Sequence, residues 1–282
     1  MKVAVTGSAG LLGKNLVKEL SKNYEVAGIS RRACETVNYV CDLSENRSKS
    51  ILDEINPQII VHAAAMTNVE KCEISREEAY KNNVLATRQI AQWAANKKRK
   101  LIYISTDYIY PGITNNYDEN SDPSPLNYYG ITKLEGEIET KKVEDHLILR
   151  PTGIFGYDAD GLNFLMQMLA LSKKRKIPFD QYGNPTDIKL LCEYIEKSIE
   201  SNLRGEYLAT GPETINRYEF SKLIFKVFNL DEKIIEPACT SELKFLAARP
   251  LYNGSNSNKL RKELGCSAIS LEESLQKIRD NK

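Results

Sequence analysis

Histidine is nearly missing from this chain, with two in 282 residues, and tryptophan occurs once. The six cysteines form no Cys-x-x-Cys pair and meet no histidine pair at ligand spacing, so no metal site is expected and the thiols read as reduced and structural. Neither sign of charge is in excess. A net charge of +1 argues against an electrostatic nucleic-acid binder. The two dense basic runs, Lys97-Lys98-Arg99-Lys100 and Lys173-Lys174-Arg175-Lys176, fall where helices should end before strands, where positive charge complements the helix dipole. No apolar run approaches the roughly 18 residues of a membrane span, the first strand begins at residue 2 and leaves no room for a signal peptide, and no repeat or low-complexity tract interrupts the chain. These absences point to a soluble cytoplasmic protein with neither nucleic acid nor membrane as partner. An apolar fraction of 41% supports a sizeable core, and the length suits two domains or one large α/β unit.

What is present begins at once. Lys2-Val3-Ala4-Val5-Thr6 reads as a buried strand, Gly7-Ser8-Ala9-Gly10-Leu11-Leu12-Gly13 as a turn, and Lys14 to Leu20 takes up helical spacing. Small residues let a backbone approach a pyrophosphate, and the free amides and partial positive charge of a helix N-terminus hold its charge. The spacing excludes a mononucleotide P-loop, because five residues separate Gly7 from Gly13 and Asn15 follows Lys14 where a hydroxyl belongs. It also departs from Gly-x-Gly-x-x-Gly, since position 9 is Ala. The pattern is Gly-x-x-Gly-x-x-Gly, which standing alone also fits an ordinary strand-to-helix turn.

A second strand, Tyr24 to Ile29, ends in Ser30-Arg31-Arg32. At that place an acid would accept from the ribose of NAD, whereas arginine suits the extra phosphate of NADP. The arginines favour NADP(H), and a surface pair serving solubility is the other reading. Asn38 to Leu43 reads as a short strand whose Asp42 meets the adenine edge or, with Ser44, caps a helix over Glu45–Ile55. After Pro57 the strand Gln58 to Val61 runs into His62-Ala63-Ala64-Ala65, small residues that leave room for the cofactor ribose. His62 reads as a packed strand-end residue, since nothing nearby offers it a nucleophile. Helical spacing from Glu73 to Lys97 includes Ala79, Asn83, Ala86, Ile90 and Trp93.

Leu101 to Ile104 then delivers Ser105-Thr106-Asp107-Tyr108 to a strand end, where open α/β sheets bind ligands. Residues 111–127 form a long loop of the kind that covers sites. Beyond it, Tyr129 and Lys133 stand four apart, on one helix face, whereas Tyr128 has Thr132 at the matching place. A neighbouring ammonium stabilises a phenolate, so the pairing predicts a Tyr129 hydroxyl brought down from about 10 toward working pH as a proton donor to a reduced carbonyl. Thr106 would orient that carbonyl. Any single match is weak, and the order of glycine turn, strand-end hydroxyls and Tyr-x-x-x-Lys carries the argument.

His146 to Arg150 is the sixth strand, ended by Pro151. A helix over Leu162–Leu171, a strand and turn over Ile177–Thr186, a helix over Ile188–Ile199 and a strand over Glu206–Ala209 follow. Helices at Tyr218–Phe228, Ser257–Leu264 and Leu271–Asp280 complete a smaller part. The expected fold is α/β, a Rossmann-type doubly wound parallel sheet over residues 1–152 and 184–210, with a smaller, discontinuous α+β substrate domain over 153–183 and 211–282.

The chain resembles the extended short-chain dehydrogenase/reductases over nearly its whole length, and within them the dTDP-4-dehydrorhamnose reductase group. The resemblance rests on Val3 to Gly7, Ala63-Ala64-Ala65, Tyr103 to Tyr108, Pro125-Leu126-Asn127 leading to Tyr129-Gly130 and Thr132-Lys133-Leu134, Asp180-Gln181-Tyr182-Gly183 with Pro185-Thr186, and Arg249-Pro250. It implies catalytic roles for Thr106, Tyr129 and Lys133. It implies an NADP(H) site formed by Gly7, Gly10, Leu11, Leu12, Gly13, Arg31, Arg32, Asp42, Leu43, Ala63, Ala64 and Ala65 together with Tyr129 and Lys133. Thr67, Asp107, Asn163, Gln181 and Arg249 would lie near a nucleotide-linked 6-deoxy sugar reduced at its 4-keto group, and a homodimer is possible. One departure stands out: Gly153 replaces a tryptophan that in the family typically faces the sugar. Two other readings remain open, a sugar-nucleotide epimerase or dehydratase that recycles bound NAD, and a non-enzymatic NADP-binding regulatory subunit.

Overall fold

The computed structural model describes residues 1–158, 161 and 163–281. The first half alternates strand and helix: β1 (Lys2–Thr6), α1 (Leu11–Leu20), β2 (Glu25–Ser30), β3 (Tyr39–Val40), α2 (Arg47–Ile55) and β4 (Ile59–His62). Then come α3 (Val69–Ile74), α4 (Arg76–Tyr80), α5 (Ala86–Lys97), β5 (Lys100–Ile104), α6 (Tyr128–Thr140) and β6 (His146–Arg150). The second half holds β7 (Thr152–Phe155), α7 (Phe164–Leu169), β8 (Arg175–Pro178), β9 (Tyr182–Gly183), β10 (Pro185–Asp187), α8 (Ile188–Glu200), β11 (Gly205–Leu208), β12 (Ile215–Asn216), α9 (Arg217–Phe228), β13 (Ile235–Ala238), α10 (Asn258–Leu264) and α11 (Leu271–Asp280).

Seven strands form one parallel sheet in the order β11-β6-β5-β4-β1-β2-β3. The order reverses at β1 and β4, so the strand ends of β1, β4 and β5 open onto one crevice, as a Rossmann-type sheet requires. Its inner strands are apolar on both faces, which suits a sheet covered on both sides. One face packs Val3, Val5, Leu16 and Val61 against Leu191, Ile195 and Leu260, and the other packs Ala4, Ile29 and Ile60 against Leu52, Ile90 and Trp93. A separate cluster joins Phe155, Leu165, Ile177, Phe220, Ile224 and Leu275. Leu260 and Leu264 of α10 pack in the main-sheet core, not with the smaller part where the sequence reading put that helix.

Several boundaries differ from expectation for identifiable reasons. β3 is only two residues long because Asp42 turns its carboxylate back to accept from Ser44 N (3.0 Å) and Ser44 Oγ (2.6 Å), which ends pairing. For the same reason neither Asp42 nor Ser44 caps α2, whose first residue is Arg47 and whose N-cap is Asn46. The helix expected over Glu73–Lys97 breaks at Ser75 and widens into a π-helical turn at Lys81–Leu85. The wide turn buries both Asn82 and Asn83. The helix expected from Leu162 starts at Phe164, with Asn163 as its N-cap, and Leu162 itself lies outside the described residues. No described helix is long and apolar enough to cross a membrane.

Candidate active site

The turn between β1 and α1 is shaped by contacts that only glycine permits. Gly7 has φ +72°, and a β-carbon on Gly13 would lie 2.2 Å from the Gly7 carbonyl oxygen. The helix therefore starts directly on the turn. Gly10 is the N-cap and brings no side-chain acceptor, so the first-turn amides at Leu11, Leu12 and Gly13 keep their hydrogen-bonding capacity for an anion. A β-carbon on Gly7 would also strike Ala64 at 2.8 Å, which fixes Ala63, Ala64 and Ala65 beside the turn. Residues and backbone present thus form a cradle of the shape and polarity that a dinucleotide pyrophosphate needs.

Arg31 and Arg32 stand exposed just past the end of β2, and no described residue pairs with either side chain. Asp42 lies beyond, next to the buried Leu43. Burial raises the Asp42 acid, but the two hydrogen bonds from Ser44 and the Lys81 ammonium at 3.1 Å outweigh it and hold the carboxyl below its ordinary value.

Behind the alanines runs a closed chain of buried hydrogen bonds. Ala64 N donates to Thr6 Oγ1 (3.3 Å), which is 2.6 Å from His62 Nδ1, while His62 Nε2 is 3.0 Å from Thr87 Oγ1, which donates to Asn83 O at 2.6 Å. Because Thr87 gives its proton to Asn83, it accepts from Nε2, and Nδ1 accepts from Thr6. His62 is thus neutral with its proton on Nε2. Burial, and secondarily Lys133, push it down to about 3, in keeping with a structural role. Asn83 continues the chain: its Oδ1 accepts from Met66 N (2.7 Å) and its Nδ2 donates to Thr132 Oγ1 (2.9 Å) on α6. An Asn at a position of apolar spacing was the only sequence signal for it.

Helix α6 lies hard against β5 and the segment that follows it because one of its glycines faces each. A β-carbon on Gly130 would meet the Tyr108 carbonyl at 2.3 Å, and one on Gly136 would meet Tyr103 Oη at 2.2 Å. Asn127 caps the helix by accepting from Gly130 N at 2.9 Å. The consequence is that Tyr129 and Lys133 are buried on the β5 side, Tyr129 close to Thr106, while Tyr128 is only half-buried and lies under the Arg76 guanidinium. Lys133 Nζ donates to Ile104 O at 2.7 Å and sits 4.1 Å from the centre of the Tyr103 ring.

The electrostatics correct one expectation. The Tyr129 hydroxyl is not lowered toward neutrality but raised well above its usual value, chiefly by burial and further by the Asp107 charge, against a lowering hydrogen bond with Thr106. Lys133 is itself pushed down to about 7 by burial, so the ammonium expected to stabilise the phenolate is only partly charged near neutral pH. Desolvation outweighs the pairing that spacing alone suggested. The result is a protonated phenol at neutral pH, which is the form a proton donor must have. Asp107 is raised to about 6 by burial, against hydrogen bonds from Thr106 and Asn253.

The residues expected near the sugar are engaged with other groups of the protein, Thr67 apart. Arg249 Nη2 pairs with Glu70 Oε1 at 2.6 Å, and Glu70 also accepts from Leu246 N at 2.9 Å. Gln181 Nε2 donates to Thr240 Oγ1 (3.0 Å), which in turn donates to Asp180 (2.6 Å). Asn163 is occupied at both ends, accepting from Met166 N (3.4 Å) and donating to Gly156 O (3.0 Å). Thr67 is exposed on the loop after β4. Asp107, expected near the sugar, is 2% exposed, with both carboxylate oxygens taken by Thr106 and Asn253. Gly153 is exposed at φ +43°, and a β-carbon there would meet nothing within 4 Å. Glu70, Asn83 and Asn253 were not among the sequence candidates.

A glycine-turn Rossmann sheet with a buried Thr, Tyr and Lys at the end of β5 defines an extended short-chain dehydrogenase/reductase. The whole chain, residues 1–282, matches the family model described as the RmlD substrate binding domain, and the protein belongs to that family. A dTDP-4-dehydrorhamnose reductase from Aggregatibacter actinomycetemcomitans is 31% identical over 99% of this chain and 98% of its own length. The solved dTDP-4-dehydrorhamnose reductase from Bacillus anthracis, in complex with NADP, has a TM-score of 0.91 at 31% identity and covers 100% of this chain and 99% of its own. The β subunit of methionine adenosyltransferase 2 from Xenopus tropicalis is 30% identical over 93% of this chain and 82% of its own length.

Proposed function

We propose that the protein is an NADPH-dependent reductase of the 4-keto group of a nucleotide-linked 6-deoxy sugar, of the kind that completes dTDP-L-rhamnose. The observation that carries this reading is the meeting of Thr106, Tyr129 and Lys133 at the end of β5, in a family whose similar members are named as such reductases. NADPH, when bound, supplies the hydride. Gly7, Gly10, Leu11, Leu12 and Gly13 hold its pyrophosphate, Arg31 and Arg32 its extra phosphate, Asp42 and Leu43 the adenine edge, and Ala63 to Ala65 the ribose and ring.

Tyr129 gives its proton to the ketone oxygen as that oxygen gains negative charge, so the product is an alcohol. Thr106 turns its hydroxyl to the same oxygen. Lys133, one helical turn along, gathers the proton that the buried phenolate needs to return to its resting state, and a group near 7 exchanges protons readily at working pH. The cofactor occupies the part formed by 1–152 and 184–210, and the sugar nucleotide meets 153–183 and 211–282, with Thr67, Asn163, Gln181 and Arg249 on its path. The unpaired state of all six cysteines supports a cytoplasmic setting.

The deciding experiment follows loss of nicotinamide absorbance when the protein meets dTDP-4-keto-6-deoxy-L-lyxo-hexose made in situ, with NADPH and NADH in parallel. Turnover that prefers NADPH is expected. The 30% identity to a methionine adenosyltransferase β subunit supports a second reading, a regulatory NADP-binding subunit. NADPH binding without turnover on this or any related keto sugar would favour it.

A further inference from the structure

Asp107 is a buried acid whose carboxylate is held by the Thr106 hydroxyl and the Asn253 side-chain amide. Its Oδ1 accepts from Thr106 Oγ1 at 3.2 Å, and its Oδ2 accepts from Asn253 Nδ2 at 2.7 Å. The same nitrogen reaches Asp107 O at 3.1 Å. These two acceptors fix which end of the amide faces Asp107, because the reversed amide would set oxygen against oxygen. The Thr152 hydroxyl from β7 and the Tyr129 phenol from α6 also face the carboxylate, and among the described residues no cation forms an ion pair with it. Asn253 is 2% exposed and cannot swing aside easily. Its own N donates to Tyr182 O at 3.2 Å, and the neighbouring residues are bonded to the long loop, Tyr252 N to Gly112 O at 2.9 Å and Gly254 N to Asn115 Oδ1 at 2.9 Å.

Thr106 has a single proton. In the resting geometry Asp107 takes it, while the Thr106 oxygen accepts from Tyr108 N at 3.2 Å. For Thr106 to turn that proton toward a ketone or toward the Tyr129 oxygen, Asp107 must release it and remain a buried carboxylate. An ionised carboxylate stripped of its donors in a dry site is costly.

We propose that Asn253 is a positioning residue for the reduction: its amide keeps the Asp107 carboxylate hydrogen-bonded when Thr106 turns its proton to the reacting oxygen, and so frees Thr106 for the substrate. The proposal rests on the reductase reading of the same site. Asn253 touches neither cofactor nor sugar in this role and acts through Asp107 and Thr106.

Two variants test it. Asn253→Ala removes the donor, and Asn253→Leu removes it while keeping most of the side-chain volume, so one remains informative if the other fails to fold. Above the pH at which Asp107 ionises, each variant should lose about tenfold in kcat, in line with a charge-assisted hydrogen bond, with NADPH affinity kept within about threefold. Below that pH a protonated Asp107 donates to Thr106 and no longer claims its proton, so the deficit should shrink to about twofold or less by pH 5.5. An equal loss at every pH would assign Asn253 a merely structural role and overturn the proposal. A second readout needs no turnover: carboxyl carbon-13 NMR of Asp107 in the ligand-free protein should titrate near 6 in the parent and about one unit higher in both variants. Unchanged titration in both variants overturns the proposal. If the parent reduces no keto sugar while the titration shifts as stated, the reductase reading fails and the Asn253–Asp107 coupling stands.

Discussion

Around Thr6 and His62 the hydrogen-bonding groups are buried and each satisfies the next, from the Ala64 amide through Thr87 to Asn83. Around Arg249 the groups reach across the chain, and the Glu70 partner stands one-third exposed. The first wall is built at the ends of parallel strands and on the helices packed against them. The second is built from segments that find one another over separations of 59 and 179 residues. The difference teaches where rigidity is needed: hydride and proton must meet within a fraction of an ångström, while a sugar nucleotide has many contacts among which error is shared.

If the contrast is sound, the largest effect belongs to the buried wall. Tyr129→Phe removes the hydroxyl proposed to give the proton and keeps the ring that packs with Met66, Cys72 and Tyr108. Turnover should fall roughly 10²–10⁴-fold with NADPH binding kept within about threefold. Steady-state rates together with a fluorescence titration of NADPH measure both, and turnover near the parent's value would remove Tyr129 from the mechanism.

An intermediate effect belongs to the exposed arginines at the rim of the same wall. Replacing Arg31 and Arg32 together with alanine should weaken NADPH roughly 10–100-fold, because a charge-assisted hydrogen bond to phosphate is lost at each place, and leave NADH unchanged. Thermal stability should hardly move, since no described group pairs with either side chain. Equal losses for both cofactors would mean that the arginines do not read the extra phosphate.

How much of this was readable beforehand follows the same division. The glycine turn, the strand-end hydroxyls and Tyr129 with Lys133 are short-range patterns whose spacing carries geometry, and the sheet order follows from alternating strands and helices. Gly130 and Gly136 explain why α6 lies so close to β5, yet in sequence they read only as weak helix formers. The turn at Lys81–Leu85 was hidden because its apolar spacing continues a helical pattern, whereas the burial of Asn82 and Asn83 requires one wider turn. The Tyr129 hydroxyl went the other way from expectation because spacing reports who the neighbour is and not how much water has been removed. Glu70 and Asn253 carried no local signal: each is defined by a partner far away in the chain.

The smallest effect belongs to the second wall. In the Arg249–Glu70 pair the side chains are 11% and 32% exposed, so water and salt reach it and its worth to folding is at most about 1 kcal/mol. Arg249→Ala should therefore fold and bind NADPH as the parent does. It should raise KM for the sugar nucleotide about three- to tenfold with kcat within about twofold, as expected when binding is lost equally from ground and transition states. Salt supplies the sharper version of the same comparison. Raising ionic strength from about 0.05 to 0.5 M shortens the screening length severalfold, which should raise the parent's KM and leave the variant's nearly flat, while the rate constant of the buried wall stays the same in both. A kcat that falls with salt as steeply as KM rises would show that the two walls are coupled, and the contrast between them would then have to be given up.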